Sequence, residues 1–336
     1  MMAEGFALNP VVTRKWRAVF RLSATPGNDA NDCAFSPDGA YLAVAHTLYP
    51  FISVYKRDGN TFTKLANPSV LPGGAAHGCA FSPDGGYLAV GQSNAPRLLV
   101  YKRSGDTLAR HNSPSQIPVA SVYCCAFSQD GTYLAIAHAD TPWITTYKRS
   151  GDTFTKLANP TALPPGLAYG CAFSMDDTYL AVAHINSPWI SIYRRSGDSF
   201  TKLANPSMLP GGTGHGCKFS PNDMYLAVAH DENPYFSVYK YSVNTFTRLT
   251  NLTPLPVAAG YGCSFSPDGR YLAVVHASSP WISIYEHNGD TITKLENPSQ
   301  LPQAFGNNCS FSSDGRLLAV AHSVTGSGEN VTIYKK

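Results

Sequence analysis

The chain has 336 residues, of which 43% are hydrophobic, 12% aromatic and only 14% charged, with a net charge of +3. So few charges beside 19 tyrosines and 16 phenylalanines exclude a disordered chain and call for extensive burial. The near-neutral balance lacks the clustered basic surface that nucleic acid needs, so no nucleic-acid partner is expected.

The opening residues, MMAEGFALNPVVTRKW, hold no basic region followed by an apolar run. Neither a signal peptide nor a membrane span is expected, and the protein should be made in the cytosol. From Cys33 onward the chain repeats itself. Copies begin at Cys33, Cys79, Cys125, Cys171, Cys217, Cys263 and Cys309, each 46 residues after the last. A unit of that length cannot bury its own apolar surface and must stack on its neighbours.

The third copy shows the plan. Cys125–Ser128 reads as a short apolar strand and Ser128-Gln129-Asp130-Gly131 as a tight turn, written Ser36-Pro37-Asp38-Gly39 in the first copy. Tyr133–His138 is the second strand, and Ala139-Asp140-Thr141-Pro142 breaks it. Trp143–Tyr147 is the third, a Ser-Gly-Asp hairpin follows, and Thr153–Leu157 is the fourth. The second strands are apolar at nearly every position, as strands covered on both faces are. Four short antiparallel strands in each of seven units predict an all-β fold, a seven-bladed β-propeller forming a single domain over 1–336.

The last copy stops after its third strand, NVTIYKK. The missing fourth resembles WRAVFRL at Trp16–Leu22, so this N-terminal segment should complete the last blade and close the ring. Three extra residues within Ser323–Glu329 predict a glycine-rich loop. Seven of the eight cysteines share one repeat position. Equivalent positions on packed sheets lie roughly 10 Å apart, too far for disulfides, so they read as small buried hydrophobes, with Cys124 as the extra one.

The stretch CAFSPDG-x-YLAVA with its following SVY-type strand resembles the WD-repeat pattern over residues 33–336. The third strands end in Tyr-Lys or Tyr-Arg, as at Tyr55-Lys56 and Tyr193-Arg194, where that family has Trp-Asp, and no Gly-His begins each copy. The family's buried hydrogen-bond network is therefore not expected intact. The near-identical phrases YKRSGDTFTKLANP and FSPDGxYLAVAH also resemble propeller proteins of tailed bacteriophages, a resemblance that implies a virion or tail-associated part.

Three sets of repeated positions are candidates for contact. His46, His138, His184, His230, His276 and His322 end the second strands, with Gln92 in the second copy. Each imidazole could bond a loop carbonyl and fix the connection entering its blade, or make a pH-dependent contact. A metal ring is excluded by blade separation, since zinc ligands converge at about 2 Å. Phe51, Trp143, Trp189, Tyr235 and Trp281 follow the loop proline, with Arg97 in the second copy. They could fill the gap between blades, stack on sugars or meet a partner. Two residues before each cysteine stand Asn31, His77, Tyr123, Tyr169, His215, Tyr261 and Asn307, which should ring the channel mouth.

The opposite face carries turn aspartates and Lys-Arg pairs such as Lys56-Arg57 and Lys102-Arg103, read as a solvated rim; the pairs occur in only part of the ring, which could give one docking side. Rings of one residue type are not the lone convergent acid, base and electrophile that catalysis needs. The expectation is a non-catalytic binding or assembly platform without cofactor or metal. Its partners would be other virion or assembly proteins, with no nucleic acid and no membrane. A carbohydrate-binding propeller and a lactonase-like enzyme are the alternatives.

Overall fold

The computed structural model describes residues 16–20, 22–26, 28–112, 114–250, 252–324 and 328–336. Part of the predicted glycine-rich loop, residues 325–327, lies outside the described residues. Within them the regular structure is strand, in seven sheets that each hold four antiparallel strands, in sequence order in the first six blades. The chain is thus the expected all-β, seven-bladed propeller. Before the sixth blade, Leu252–Thr253 adds a short parallel pairing to that blade's outer strand.

In blade 3 the strands are Val122–Phe127, Tyr133–His138, Ile144–Ser150 and Thr153–Lys156. The second strand falls where the sequence places it. The inner strand starts earlier than Cys125 because a bulge lets it pair back to Val122, opposite His138. The third starts after Trp143, whose backbone sits at φ 63° and belongs to the turn. It runs on to Ser150, paired with Thr153, because the Ser-Gly-Asp hairpin is tight. Gly131, at φ 69°, ends the first turn in the left-handed region where a side chain is disfavoured.

The core lies between blades rather than within them. Tyr133, Ala135, Ala137 and Ile144 of blade 3 pack on Phe173, Leu180, Val182, Tyr193 and Phe200 of blade 4. Equivalent clusters fill the other junctions, including Leu317, Ala319 and Ile333 of blade 7 against Leu42, Val44 and Tyr55 of blade 1. Each fully buried aliphatic side chain contributes about 1.5–3 kcal/mol, so every blade depends on its neighbours. The repeat cysteines sit in these junctions as free thiols. Cys171 Sγ, for instance, lies 3.7 Å from the Ala135 carbonyl of the preceding blade.

Blade 7 draws on both ends of the chain. Arg17–Phe20 runs antiparallel to Val331–Lys335, pairing Arg17 with Lys335 and Ala18 with Tyr334. The predicted segment reaches further than the strand does: Leu22 already makes a parallel bridge to Phe62 of blade 1.

The rim adds contacts that the sequence reading did not foresee. Its lysines and arginines tie neighbouring blades while the lysines stay half-exposed, so the rim is solvated as expected and also cross-linked. Lys56, Lys102, Lys148 and Lys240 reach forward to Asp106, Asp152, Asp198 and Asp290 of the next blade, at 2.6–2.9 Å. Tyr41, Tyr133 and Tyr225 donate to the first, third and fourth of these carboxylates at 2.6–2.7 Å, and Tyr87 donates to Asp152. Arg57, Arg103 and Arg149 reach back to Asp314, Asp38 and Asp84.

Candidate functional site

The inner strand of every blade carries one bulge, and its place is the same in all seven. The register shifts between Ala30 and Asp32, between Ala76 and Gly78, and at each equivalent pair round to Gly306 and Asn308. The skipped residues are Asn31, His77, Tyr123, Tyr169, His215, Tyr261 and Asn307. A bulged residue leaves the ladder and its side chain is re-aimed. All seven line the central channel, a cavity of about 840 Å³, and all are half-buried.

Five of them form an unbroken arc of rings. Centroids are 5.1 Å apart for His77–Tyr123, 5.2 Å for Tyr123–Tyr169, 5.2 Å for Tyr169–His215 and 5.0 Å for His215–Tyr261. The two asparagines close the collar differently. Asn31 Nδ2 donates to the Ala76 carbonyl and Asn307 Nδ2 to the Ala30 carbonyl, both at 2.8 Å. Burial holds the His77 and His215 imidazoles below their ordinary pKa, with Asp231, 4.0 Å from His215 Nε2, pulling His215 the other way. Burial pushes the Tyr169 phenol up. At neutral pH the collar is therefore aromatic and uncharged.

One layer deeper the inner strands approach closely. A Cβ on Gly78 would lie 2.5 Å from the Tyr123 carbonyl oxygen, and one on Gly170 2.7 Å from that of His215. Three blades depart from glycine, and their side chains thread across to the next blade. Asp32 accepts from its own neighbour Cys33 N and from Cys79 N of blade 2, both at 2.8 Å, while Asn308 Nδ2 of blade 7 donates to it at 2.7 Å. Cys124 Sγ points to the Cys171 carbonyl at 3.6 Å. Burial pushes the Asp32 carboxyl up to about 7, outweighing the three donors and the attraction of Lys218.

The six histidines are not a contact surface. They are buried, none more than 1% exposed, because the loop after the second strand folds over them. Each Nε2 meets a hydroxyl on its own third strand: Ser53, Thr145, Ser191, Ser237, Ser283 and Thr332, at 2.9–3.1 Å, and in blades 4 and 7 the expected loop-carbonyl bond is made by Nδ1, from His184 to Asn186 and from His322 to Ser323, both at 2.8 Å. His138 does lie opposite Val122, as the turn count predicts. Holding the incoming connection falls to tyrosines: Tyr55, Tyr101, Tyr147 and Tyr285 donate to carbonyls of Ala24, Val70, Gln116 and Pro254. Burial pulls His46, His138, His184, His230 and His276 down to about 4 and lowers His322, so no imidazole of this ring changes charge near neutrality. Among the described residues, no three metal-ligating side chains converge.

Phe51, Trp143, Trp189, Tyr235 and Trp281 occupy one unusual backbone site, with φ between 61° and 71°. That conformation costs a bulky residue of order 1 kcal/mol. It turns the aromatic's carbonyl back onto the histidine N–H, at 2.9 Å for His46 and Phe51 and 3.0 Å for His138 and Trp143. The rings are half-buried, and Phe51 and Trp143 pack against the junction clusters. The expected gap filling is therefore seen for Phe51 and Trp143.

What the sequence reading missed are the positions flanking each cysteine, where the seven copies differ: Asp32, Cys124 and Asn308 on one side, Lys218 on the other. Comparing copies column by column exposes them, because alanine, serine or glycine fills the remaining places.

Residues 111–141 match the family model described as WD domain, G-beta repeat. No well-described protein matches the chain in sequence. Among solved structures, hydrazine synthase of Kuenenia stuttgartiensis superposes with a TM-score of 0.68 at 15% identity, covering 94% of this chain and 97% of that one. At that identity the likeness speaks for the fold alone.

Proposed function

We propose that this WD-like seven-bladed propeller is a non-catalytic platform for protein binding and assembly, engaging its partner through the face that bears the channel mouth. The observation that carries this reading is the arc of five rings from His77 to Tyr261, half-exposed on rigid inner strands. Tyrosine presents a large amphipathic area with little entropy to lose, which is why it is favoured at the centres of interfaces. The same face exposes Tyr49, Val119, Val257 and Phe305 on its loops. The finer proposal is that the assembly is a tailed-bacteriophage particle, supported by the resemblance of the YKRSGDTFTKLANP and FSPDGxYLAVAH repeats. Partner and location would then be other virion proteins and the virion.

The test is hydroxyl-radical footprinting on the protein alone and on purified particles. The platform reading expects Tyr123, Tyr169 and Tyr261 to be protected in the assembly. Particles that lack the polypeptide would remove the virion assignment. Protection confined to the opposite face would remove the collar as the contact surface. A carbohydrate-binding reading draws support from the half-exposed Trp143, Trp189 and Trp281. It expects a glycan-array signal that Trp143→Ala abolishes.

A further inference from the structure

The residue after each repeat cysteine faces the channel, and the seven copies divide into two arcs there. Blades 1 to 4 supply Ala34, Ala80, Ala126 and Ala172, a wall of methyl groups. Blades 5 to 7 supply Lys218, Ser264 and Ser310, an ammonium and two hydroxyls on consecutive blades, with Ser264 the most buried of the three. Lys218 is exposed in a ring whose other copies manage with a small residue, so packing does not demand it. Among the described residues its side chain makes no hydrogen bond or salt bridge, and the one carboxylate that its charge stabilises is Asp32. It is also the one Lys or Arg lining the cavity. The collar above adds uncharged rings, since burial holds His77 and His215 toward the neutral form. Lys218 lies three residues below His215, roughly 10 Å along the strand. A cavity of about 840 Å³ is within the usual range for a small-molecule site.

We infer that the channel binds a small organic monocarboxylate, its carboxylate on Lys218 Nζ with Ser264 and Ser310 Oγ beside it, and its body between the alanine arc and the collar tyrosines. Charge assistance makes the ammonium–carboxylate contact the anchor. The apolar wall gives the body of the acid a surface to bury, and an inorganic anion has none to offer it. Asp32, which faces the same channel from blade 1, repels a second negative charge and so favours one carboxylate over two. This site does not depend on the platform reading: a partner protein can cover the mouth of a loaded or an unloaded channel.

The experiment is calorimetric titration of the full chain at pH 7.5 with benzoate, cyclohexanecarboxylate and glucuronate, each a monocarboxylate on a different body. Benzamide, phthalate and inorganic phosphate serve as contrasts. At least one monocarboxylate should bind saturably, and benzamide should bind about tenfold or more weakly than benzoate if benzoate is that ligand. Lys218→Ala copies the first four blades and should melt as the parent does while losing about tenfold or more in affinity; Lys218→Arg should retain most of it. The inference fails if none of the three acids binds, if Lys218→Ala binds the best of them unchanged, or if phosphate or phthalate binds more tightly than all three.

Discussion

At the scale of single residues, the buried histidines set how the protein responds to acid. Each imidazole is neutral in the fold, its Nε2 matched to a hydroxyl on the third strand, and burial pulls five of the six down to about 4. Unfolded, they would titrate near 6.5. The folded state therefore binds fewer protons between these values, so the stability they confer is complete above pH 6.5 and disappears as pH falls through about 4. Each is worth roughly 3 kcal/mol on this count, and several acting together should unfold the chain at a pH above 4. Blade 2 shows how the pair is dispensed with: Gln92 replaces the histidine and Leu99 replaces its hydroxyl partner. The double change His138→Gln with Thr145→Leu should thus fold at pH 7.5 and lower the acid midpoint, read by circular dichroism. An unmoved midpoint would mean that another group governs acid unfolding. Asp32 works in the opposite direction. Its carboxyl is raised to about 7, so the stability it confers is present below pH 3.8 and lost as pH rises through 7. Asp32→Asn should consequently cost less stability at pH 8.5 than at pH 5.5, by urea unfolding at both.

At the scale of the strand and its turn, two aspartates replace glycine and staple adjacent blades. Asp177, at φ 57°, accepts from Gln129 N at 2.6 Å and Asp130 N at 2.9 Å of the preceding turn. Asp223, also at φ 57°, accepts from Met175 N at 2.5 Å and Asp176 N at 2.8 Å. The acceptor matters only where the preceding turn has an N–H to give. Pro37, Pro83, Pro221 and Pro267 lack one, and the next blades there carry Gly85, Gly131, Gly269 and Gly315. Asp177→Gly relieves the left-handed backbone but loses two charge-assisted bonds, a net cost of about 1–3 kcal/mol. Gln129→Pro should be harmful beside Asp177 and far milder in a chain that already carries Asp177→Gly. A double-mutant cycle should give a coupling of about 1 kcal/mol or more, and an additive cycle would refute the staple. This coupling explains what sequence reading can reach. Strands are legible because seven copies repeat one pattern of Pro, Gly and apolar runs, and Tyr133–His138 is legible to the residue. The collar's position is legible too, as a column of variable residues, but not the bulge that aims it, because the glycine after it in four blades is replaced by Asp32, Cys124 and Asn308 in the others. The role of the rim charges is hidden in any single copy: Lys56 meets Asp106 fifty positions away, and only the stacked blades bring them together.

At the scale of the whole molecule, the junction between blades 7 and 1 is built differently, because the two ends of the chain meet there. Leu317 stands where the other blades have the rim tyrosine, and Asn60 where four later blades have its aspartate partner, so that tyrosine–aspartate staple is missing. The junction relies on Asn307 and Asn308, which reach the Ala30 carbonyl and Asp32, and on Asn330, which donates to the Pro26 carbonyl at 3.0 Å. The N-terminal strand adds a wedge between blades 6 and 7. Trp16 is 2% exposed, with its ring 5.7 Å from both Tyr271 and Phe311, while Lys336 Nζ lies 4.2 Å over Tyr271. Removing residues 1–24 takes away the wedge and leaves Val331–Lys335 as an open apolar edge, a template for pairing with another chain. The truncated protein should melt lower and elute earlier than the parent in size-exclusion chromatography, and a synthetic peptide of residues 1–24 should restore the parent's elution volume. Trp16→Ala isolates the wedge from the strand: it keeps the backbone pairing and should cost about 3–5 kcal/mol without exposing the edge. It should therefore lower the melting temperature while eluting as the parent does. A truncation that melts like the parent would mean that the ring closes without its N-terminal strand, and the inter-blade clusters alone would then have to hold the circle.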